Sequence, residues 1–160
     1  MDKINIYTDG AARGNPGPGG YGVILEYNGN IKELSQGFKV TTNNRMELLA
    51  VIVGLETIKK SGHQIIIYSD SKYVVEAVNQ KWVFNWEKTN YKKKKNPDLW
   101  KRFLIIYRKH NVIFKWIKGH SGHTQNERCD ALAVIASNRT NLITDQGYEL
   151  AQNNTQTLFD

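Results

Sequence analysis

Cysteine is almost absent from this chain of 160 residues, which contains Cys129 and no other. A single cysteine excludes an intramolecular disulfide and favours a reducing compartment. His120, His123 and Cys129 could suggest a zinc site, but no second ligand pair with a matching spacing accompanies them. We therefore expect neither disulfides nor zinc, and we interpret Cys129 as a buried helix residue.

Long apolar stretches are absent as well. No run of roughly 18 or more apolar residues occurs, so we expect no transmembrane helix. The chain starts MDK and passes directly into a strand pattern, without the basic and apolar parts of a secretory leader. With 40% hydrophobic residues, the length suits one domain with a sizeable core. We expect a monomer in the cytoplasm that has no contact with membranes.

Acidic residues are outnumbered, with 15 Asp and Glu against 22 Lys and Arg, and the net charge is +7. The excess is concentrated in the basic segment, residues 81–102, which contains eight basic and two acidic side chains. Its aromatic residues are Trp82, Phe84, Trp86, Tyr91 and Trp100. Lysines suit phosphates and aromatic rings suit bases or sugars, so the segment favours a nucleic-acid ligand. The alternative is an ordinary solvated surface rich in lysine.

Hydrophobic periodicity predicts a mixed α/β chain. Strands are expected at 3–8, 21–27, 31–38, 64–69 and 112–117, and helices at 43–60, 71–79, 98–110 and 125–136. The hairpin signal Asn28-Gly29-Asn30 predicts that the first three strands form an antiparallel meander. Helical crossovers join strands 3–8, 64–69 and 112–117, which predicts parallel neighbours. Gly62 is expected to stop the first helix, and the polar last dozen residues are expected to be disordered.

Two of the predicted strands end alike, in INIYTD at Asp9 and in IIIYSD at Asp70. Functional groups gather beyond the carboxyl ends of parallel strands, and two carboxylates there repel each other unless a cation lies between them. Oxygen ligation of this kind suits Mg²⁺ or Mn²⁺. Each residue also has a structural interpretation, Asp9 as a turn residue before Gly10 and Asp70 as the N-cap of the next helix.

Glu47 and Asp130 are further candidates for an acidic site. Glu47 lies in the first turn of the predicted helix 43–60, where Asn44 and Glu47 would also fit a capping box. Asp130 lies in the predicted helix 125–136, and its alternative is an exposed helix carboxylate. Spacing along the sequence does not by itself bring the four carboxylates together.

Five stretches carry a resemblance to a known family. They read TDGAARGNPGPGGYG, TTNNRMELLAV, YSDSKYV, NPDLWKR and KWIKGHSGHTQNERCDALA. In this order they resemble the motifs of ribonuclease H, bacterial type I, over roughly residues 4–145. The resemblance implies an α/β fold with a ribonuclease H-like mixed five-stranded sheet, an antiparallel meander plus parallel strands, flanked by helices. It implies a catalytic domain over 1–145 that includes a basic protrusion at 81–102, followed by a polar tail at 146–160.

The resemblance further implies a metal-dependent endonuclease that hydrolyses the RNA strand of RNA–DNA hybrids. The acidic tetrad of the family matches Asp9, Glu47, Asp70 and Asp130, which would hold two divalent ions, normally Mg²⁺ with Mn²⁺ as a substitute. Two ions about 4 Å apart can activate a water on one side of a phosphodiester and stabilise the leaving oxygen on the other. The products would carry 5′-phosphate and 3′-hydroxyl ends, and cleavage would be largely independent of sequence.

Other matches imply roles in proton transfer and in binding the hybrid. His120 matches a loop histidine that is expected to transfer protons or to assist product release. Contacts to the hybrid or its DNA strand are implied for Asn15, Thr42, Asn43, Asn44, Trp82, Lys92, Lys93, Lys94 and Lys95. Lys72 departs from the pattern, because a common relative has a neutral amide at this position.

Two rival functions remain open at this point. One is a non-catalytic module that binds hybrid or double-stranded nucleic acid through the basic segment, and the loss of a tetrad carboxylate would favour it. The other is a recombinase-like nuclease with the same metal chemistry and a different nucleic acid, against which Asn43, Asn44 and the basic segment argue. All four tetrad positions are acidic, which favours the endonuclease.

Overall fold

A computed structural model describes residues 3–159 of the chain, with side chains described through residue 154. Residues 1 and 2, on which the prediction of a missing leader depends, lie outside the described residues. The strands are β1 (Lys3–Ala12), β2 (Gly17–Tyr27), β3 (Asn30–Thr41), β4 (Gln64–Ser69) and β5 (Asn111–Trp116). The helices are α1 (Asn43–Glu56), α2 (Lys72–Asn79), α3 (Trp82–Lys88), α4 (Pro97–Tyr107), α5 (Thr124–Ser137) and α6 (Gln146–Phe159).

The five strands form one mixed sheet in the order β3-β2-β1-β4-β5. β2 pairs antiparallel with β1 and β3, whereas β4 lies between β1 and β5 and is parallel to both. The predicted meander and the predicted parallel neighbours are therefore confirmed. The β1–β4 ladder ends where Tyr7 pairs with Tyr68, so the residues that follow on both strands lie at the same end of this ladder.

Helices cover both faces of the sheet. Successive strand residues point to opposite sides, and apolar residues on both sides are buried against helices. Ile6 and Val23 are fully buried in the main core, which also contains the apolar side chains of α1. Tyr7 and Ile24 pack on the other face against Cys129 of α5, which is buried as predicted. α1 is apolar around most of its circumference because it is enclosed between the sheet and α4.

Several element boundaries differ from the prediction. β1 continues to Ala12, because Ala11 and Ala12 pair with Gly20 and Gly19 of β2. β3 continues to Thr41, which pairs with Gly17 at the start of β2. The helix expected over 43–60 ends at Glu56, since the chain must turn there to enter β4. Gly62 therefore lies in the connection to β4 and does not stop the helix.

Sequence patterns do not predict two of the helices. α3 begins after Lys81, which has a φ of 63° and provides no side-chain cap, so the usual start signal is missing. α6 occupies residues 146–159 of the polar tail, so the prediction that the last dozen residues are disordered is wrong through residue 159. Residue 160 of the same tail lies outside the described residues.

A buried ion-pair network holds the start of α6. Arg45 of α1 is 3% exposed, and its guanidinium lies 2.8 Å from Asp145 and 2.7 Å from Asp98. Asp145 also accepts hydrogen bonds from the Thr41 hydroxyl at 2.7 Å and from the backbone N–H of Tyr148 at 3.2 Å, which caps α6. These contacts join residues that are far apart in sequence, so local polarity underestimates the order of this segment.

Asp145→Asn should lower the free energy of unfolding by about 3 kcal/mol, because it leaves the buried Arg45 charge with one carboxylate in place of two. The matched control is Glu56→Gln, which removes the partner of Arg102 in an exposed ion pair of 2.6 Å. We expect this control to cost about 0.5 kcal/mol. Urea unfolding measures both variants, and equal effects would contradict a stabilising role for the buried network.

Candidate active site

Asp9 and Asp70 lie just past the end of the β1–β4 ladder. Asp9 is a β1 residue that pairs with Gly22 of β2, so it is not a turn residue. The N-cap of α2 is Ser71, whose hydroxyl accepts a hydrogen bond from the N–H of Val74 at 3.3 Å. Asp70 therefore does not cap this helix, and neither structural interpretation of the two aspartates holds.

Glu47 approaches the strand carboxylates because α1 packs directly on β1. A side chain at Gly10 would collide with the backbone of Met46 and Glu47, so only glycine permits this approach. Thr42 is the N-cap of α1, and its hydroxyl accepts the capping hydrogen bond. The capping box of Asn44 and Glu47 is therefore not formed, which leaves the glutamate carboxylate without a capping role.

The four predicted acidic residues reach one cleft of about 380 Å³, which we call the carboxylate cleft. One carboxylate oxygen from each of Asp9, Glu47 and Asp70 lies within 4.8 Å of those from the other two. Asp130, which α5 carries, lines the same cleft but lies outside this group of three. The structure thus brings three members of the predicted tetrad into direct proximity and the fourth to their edge.

Burial raises the pKa of each of the three clustered carboxyls, and repulsion within the cluster adds to the rise for Asp9 and Glu47. Burial, followed by the charge of Asp70, raises the pKa of Asp9 to about 7. Burial, followed by the charges of Asp9 and Asp70, raises the pKa of Glu47 well above its usual range. Burial also raises the pKa of Asp70. These three carboxyls therefore keep their protons to higher pH than ordinary carboxyls do.

The cluster fits a hard divalent cation. Oε2 of Glu47 is buried and has no hydrogen-bond partner among the described residues. A buried oxygen in this condition costs free energy unless an ion or ligand satisfies it. Carboxylate oxygens are the donors that Mg²⁺ and Mn²⁺ prefer, and a cation would remove the repulsion that raises the pKa values.

The loop after β5 places His120 at the rim of the carboxylate cleft. His120 has a φ of 55°, in the left-handed region, and the adjoining turn is closed by a 2.5 Å hydrogen bond from the Ser121 hydroxyl to the carbonyl of Lys118. Burial is the main influence on the pKa of Asp70, and the nearby His120 opposes the resulting rise. An imidazole at this position can exchange protons with a group bound at the carboxylates.

Asparagine side chains connect the loop after β1 to the start of α1. The side-chain oxygen of Asn15 accepts a hydrogen bond from the N–H of Asn43 at 3.0 Å, and that of Asn43 accepts one from the N–H of Ala12. Asn43 and Asn44 line the carboxylate cleft, and Asn15 and Thr42 lie beside it. The predicted substrate contacts at the start of α1 therefore adjoin the acidic residues.

The basic segment exposes its lysines and buries most of its aromatic side chains. Residues 92–95 are all exposed lysines, and Trp82 is 45% exposed. The remaining aromatic residues are buried in the core or packed against it: Phe84, Trp86, Tyr91 and Trp100. These four rings anchor the segment in the fold, and Trp82 is left as the exposed aromatic residue of the segment.

Lys72 and Trp116 are site residues to which the sequence analysis assigns no role. Lys72 lines the carboxylate cleft, and its ammonium lies 5.3 Å from the centroid of the Trp116 ring. The ring N–H of Trp116 donates a hydrogen bond to the carbonyl of Asp70 at 3.1 Å. The pair thus holds a positive charge beside the acidic residues. In the sequence, the signal that could have placed Lys72 at the site is its position in the first turn of the helix that follows Asp70.

Comparison with sequence families gives one match over most of the chain. A family model described as RNase H matches residues 1–138. A protein named Ribonuclease H from Desulforamulus reducens is 53% identical over 150 residues, covering 91% of this chain and 94% of the relative. A protein of the same name from Rippkaea orientalis is 51% identical over 152 residues, covering 92% of this chain and 93% of the relative.

Solved structures give the same result. LC9-RNase H1, described as a type 1 RNase H with the type 2 active-site motif, is 32% identical with a TM-score of 0.76, covering 86% of this chain and 72% of that one. LC11-RNase H1, solved in complex with an RNA/DNA hybrid, is 30% identical with a TM-score of 0.62, covering 83% of this chain and 95% of that one.

Within the part of the chain that the structure describes, every helix is too short or too polar to cross a bilayer.

Asp9→Asn should stabilise the metal-free protein, because it removes a buried charge that faces two other carboxylates. In EDTA at pH 8, we expect the free energy of unfolding to rise by about 2 kcal/mol and the Tm by about 6 °C. Differential scanning calorimetry measures the change. A clear fall in Tm would assign Asp9 a structural role instead.

The raised pKa of Asp9 predicts that the stability gained by Asp9→Asn depends on pH. The folded state raises the pKa of Asp9 from 3.8 to about 7, so the folded protein binds this proton more tightly than the unfolded chain. As the pH rises, the unfolded chain gives up this proton near pH 4 and the folded protein only near pH 7. The stability lost through Asp9 therefore grows between pH 4 and pH 7 and is constant above pH 7. We expect the Tm advantage of Asp9→Asn in EDTA to shrink by about half or more at pH 5.5. An advantage that stays constant between pH 5.5 and pH 8 would contradict this origin.

Proposed function

The chain belongs to the RNase H family, whose members are metal-dependent hydrolases, and on that premise we propose that it hydrolyses the RNA strand of RNA–DNA hybrids. The reaction is an endonucleolytic hydrolysis that leaves 5′-phosphate and 3′-hydroxyl ends and depends little on base sequence. Two Mg²⁺ ions are the cofactors, and Mn²⁺ can replace them. Residues 1–145, with the protrusion at 81–102, form the catalytic domain, and the chain works as a monomer in the cytoplasm.

The carboxylate cluster carries this proposal. Three acidic side chains whose oxygens lie within 4.8 Å of one another, two of them buried, repel each other and lower the stability of the metal-free fold. A cluster of this kind is expected where cations must be held beside a phosphodiester. The family match and the cluster therefore support the same chemistry by independent routes.

The residues that would hold the ions are Asp9, Glu47, Asp70 and Asp130. When bound, the ions supply a water of lowered pKa and stabilise negative charge on the phosphate and the leaving oxygen. Asp9 is fixed by its strand and by the N–H of Gly10, which donates to Oδ1 at 2.9 Å. Glu47 is fixed by the contact of α1 with β1, so both buried carboxylates keep their positions before substrate arrives.

His120 transfers protons at the open side of the carboxylate cleft. A neutral imidazole can accept a proton from the attacking water, and the imidazolium formed in this way can deliver that proton to the departing 3′ oxygen. Its loop crosses the rim of the cleft, so the same side chain can assist the release of product. His120 is a catalytic residue in this proposal, and the carboxylates remain ligands.

Substrate selection depends on the 2′-hydroxyl groups of the RNA strand and on duplex shape. Asn43 and Asn44 at the edge of the carboxylate cleft can donate to or accept from a 2′-hydroxyl. Asn15 and Thr42 contact the backbone of the hybrid beside them. Contacts to the DNA strand beyond the cut site come from Trp82, Lys92, Lys93, Lys94 and Lys95, all of which are exposed.

The rival functions are less well supported. A non-catalytic binding module would gain nothing from buried carboxylates whose repulsion opposes folding and the approach of phosphates. A recombinase-like nuclease would share the acidic cluster, but the asparagines beside it and the exposed lysines suit a hybrid.

Cleavage of one labelled RNA strand tests the proposal. The strand is offered single, paired with RNA and paired with DNA, in Mg²⁺ and in EDTA, and we expect cutting of the DNA-paired form alone and only with metal. Asp70→Asn should lower the rate more than about a hundredfold, because it removes a ligand from the charge-stabilising centre. The matched control Glu76→Gln removes an exposed carboxylate from α2 and should retain full activity. Tight binding of the hybrid without cutting, in Mg²⁺ and in Mn²⁺, would support the binding module instead.

A further inference from the structure

The carboxylate cleft contains one permanent positive charge among the described residues that line it. The cationic side chain is Lys72, and the acidic side chains are Asp9, Glu47, Asp70 and Asp130. Clustered carboxylates repel one another, and a cation beside them lowers this repulsion. The ammonium of Lys72 therefore supplies, from the protein itself, part of the charge that a bound metal ion would supply.

The position of Lys72 in α2 is unfavourable when the helix is considered alone. Lys72 is the first residue of the helix, directly after the N-cap Ser71, and the first turn contains no acidic residue. The N–H groups at the start of a helix carry partial positive charge, so a lysine is repelled there and a carboxylate would be attracted. Negative charge in the adjoining carboxylate cleft compensates for this repulsion.

Trp116 holds the ammonium beside the cleft. The side chain of Lys72 is exposed, yet its Nζ lies 5.3 Å from the centroid of the Trp116 ring, which is within the range of a cation–π contact. The ring N–H donates a hydrogen bond to the carbonyl of Asp70 at 3.1 Å. Trp116 ends β5 and pairs with Ser69 of β4, so its backbone is fixed by the sheet. One ring thus connects the cation to the backbone of an acidic residue.

We propose that Lys72, held on the ring of Trp116, is a built-in counter-cation that lowers the affinity of the free carboxylate cleft for divalent ions. One positive charge does not neutralise four carboxylates, so the cleft still attracts metal, but each arriving ion is repelled by the ammonium. The inference rests on the proposed function, because it takes the carboxylates as metal ligands. Trp116 is a positioning residue in this arrangement, since it acts through Lys72.

A phosphodiester in the carboxylate cleft would change the effect of this charge. The phosphate is attracted by the ammonium, and this attraction offsets the repulsion between the ammonium and the ions. Lys72 therefore disfavours loading of the empty cleft with metal and favours loading together with the substrate. Metal and substrate then bind with positive coupling, in which each raises the affinity for the other.

Mn²⁺ binding to the free protein tests the proposal, with EPR of the unbound ion as the readout. Lys72→Gln should lower the Kd about fivefold at low salt, and this difference should shrink at high salt, because the removed charge acts through screened Coulomb repulsion. Lys72→Arg retains the charge and the ring contact, so its Kd should stay within about twofold of wild type. An unchanged or raised Kd in Lys72→Gln would overturn the proposal.

A matched control removes the same charge elsewhere. Lys32→Gln replaces an exposed lysine on β3, the edge strand that is separated from β4 by β2 and β1. Its Kd for Mn²⁺ should stay within about 1.5-fold of wild type, because distant exposed charges are screened. A decrease as large as that of Lys72→Gln would assign the effect to net charge and overturn the proposal. Thermal unfolding in EDTA checks that all variants fold.

A double-mutant cycle tests the role of Trp116. In a Trp116→Leu background the ammonium loses its ring contact, so Lys72→Gln should lower the Kd less than about twofold. In a Trp116→Phe background a ring face is retained without the N–H, and most of the fivefold effect should remain. A full effect of Lys72→Gln in the Trp116→Leu background would overturn the positioning role.

Cleavage then tests the coupling to substrate. At saturating hybrid, the Mg²⁺ concentration for half-maximal cleavage should differ less than about twofold between wild type and Lys72→Gln, because the phosphate offsets the ammonium. A fivefold decrease there, equal to that in the free protein, would overturn the coupling. Failure of the wild-type protein to cut the hybrid would contradict the proposed function, whereas the Mn²⁺ measurements on the free protein test the counter-cation without any cleavage.

Discussion

The close contact between α1 and β1 at Gly10 is the constraint on which the site depends. It places Glu47 against Asp9, and the end of the parallel β1–β4 ladder places Asp70 beside both. Three clustered carboxylates, two of them buried, oppose folding, so the apolar surface of α1, enclosed between the sheet and α4, must supply the compensating free energy. A rigid hydrophobic helix thus holds charged groups in an arrangement that they would not adopt by themselves.

Two charged residues near the start of α1 lie in opposite electrostatic surroundings. Glu47 faces other carboxylates and keeps one buried oxygen without a partner, which makes it available to a cation. Arg45, two positions earlier, points to a different side of the helix because successive residues are rotated by about 100°. There its charge is compensated by Asp98 and Asp145, and this compensation joins α1, α4 and α6. One helix start therefore organises the carboxylate cleft and also anchors α6.

The basic segment combines an anchored interior with an exposed charged surface. Trp100 lies in the centre of an aromatic group, 5.6 Å from the ring of Trp86 and 5.7 Å from that of Tyr73, and its ring N–H donates to the Tyr73 hydroxyl. The lysines at 92–95 are exposed on the outside of this group. Aromatic packing of this kind fixes the backbone that carries the lysines, which reduces the ordering cost when a polyanion binds.

The sequence alone determined the strands, the principal helices and the four acidic candidates, because buried strands and long apolar helices carry strong local periodicity and the motifs are long. It also determined the parallel placement of β1 and β4, from which the proximity of Asp9 and Asp70 follows. Only the tertiary structure decided that Glu47 joins them, that most aromatics of the basic segment face inward, and that residues 146–159 form a helix. Each of these features depends on contacts between residues that are distant in sequence, such as Gly10 with Met46 and Arg45 with Asp145. Local sequence patterns do not predict such contacts, because they reflect only neighbouring residues.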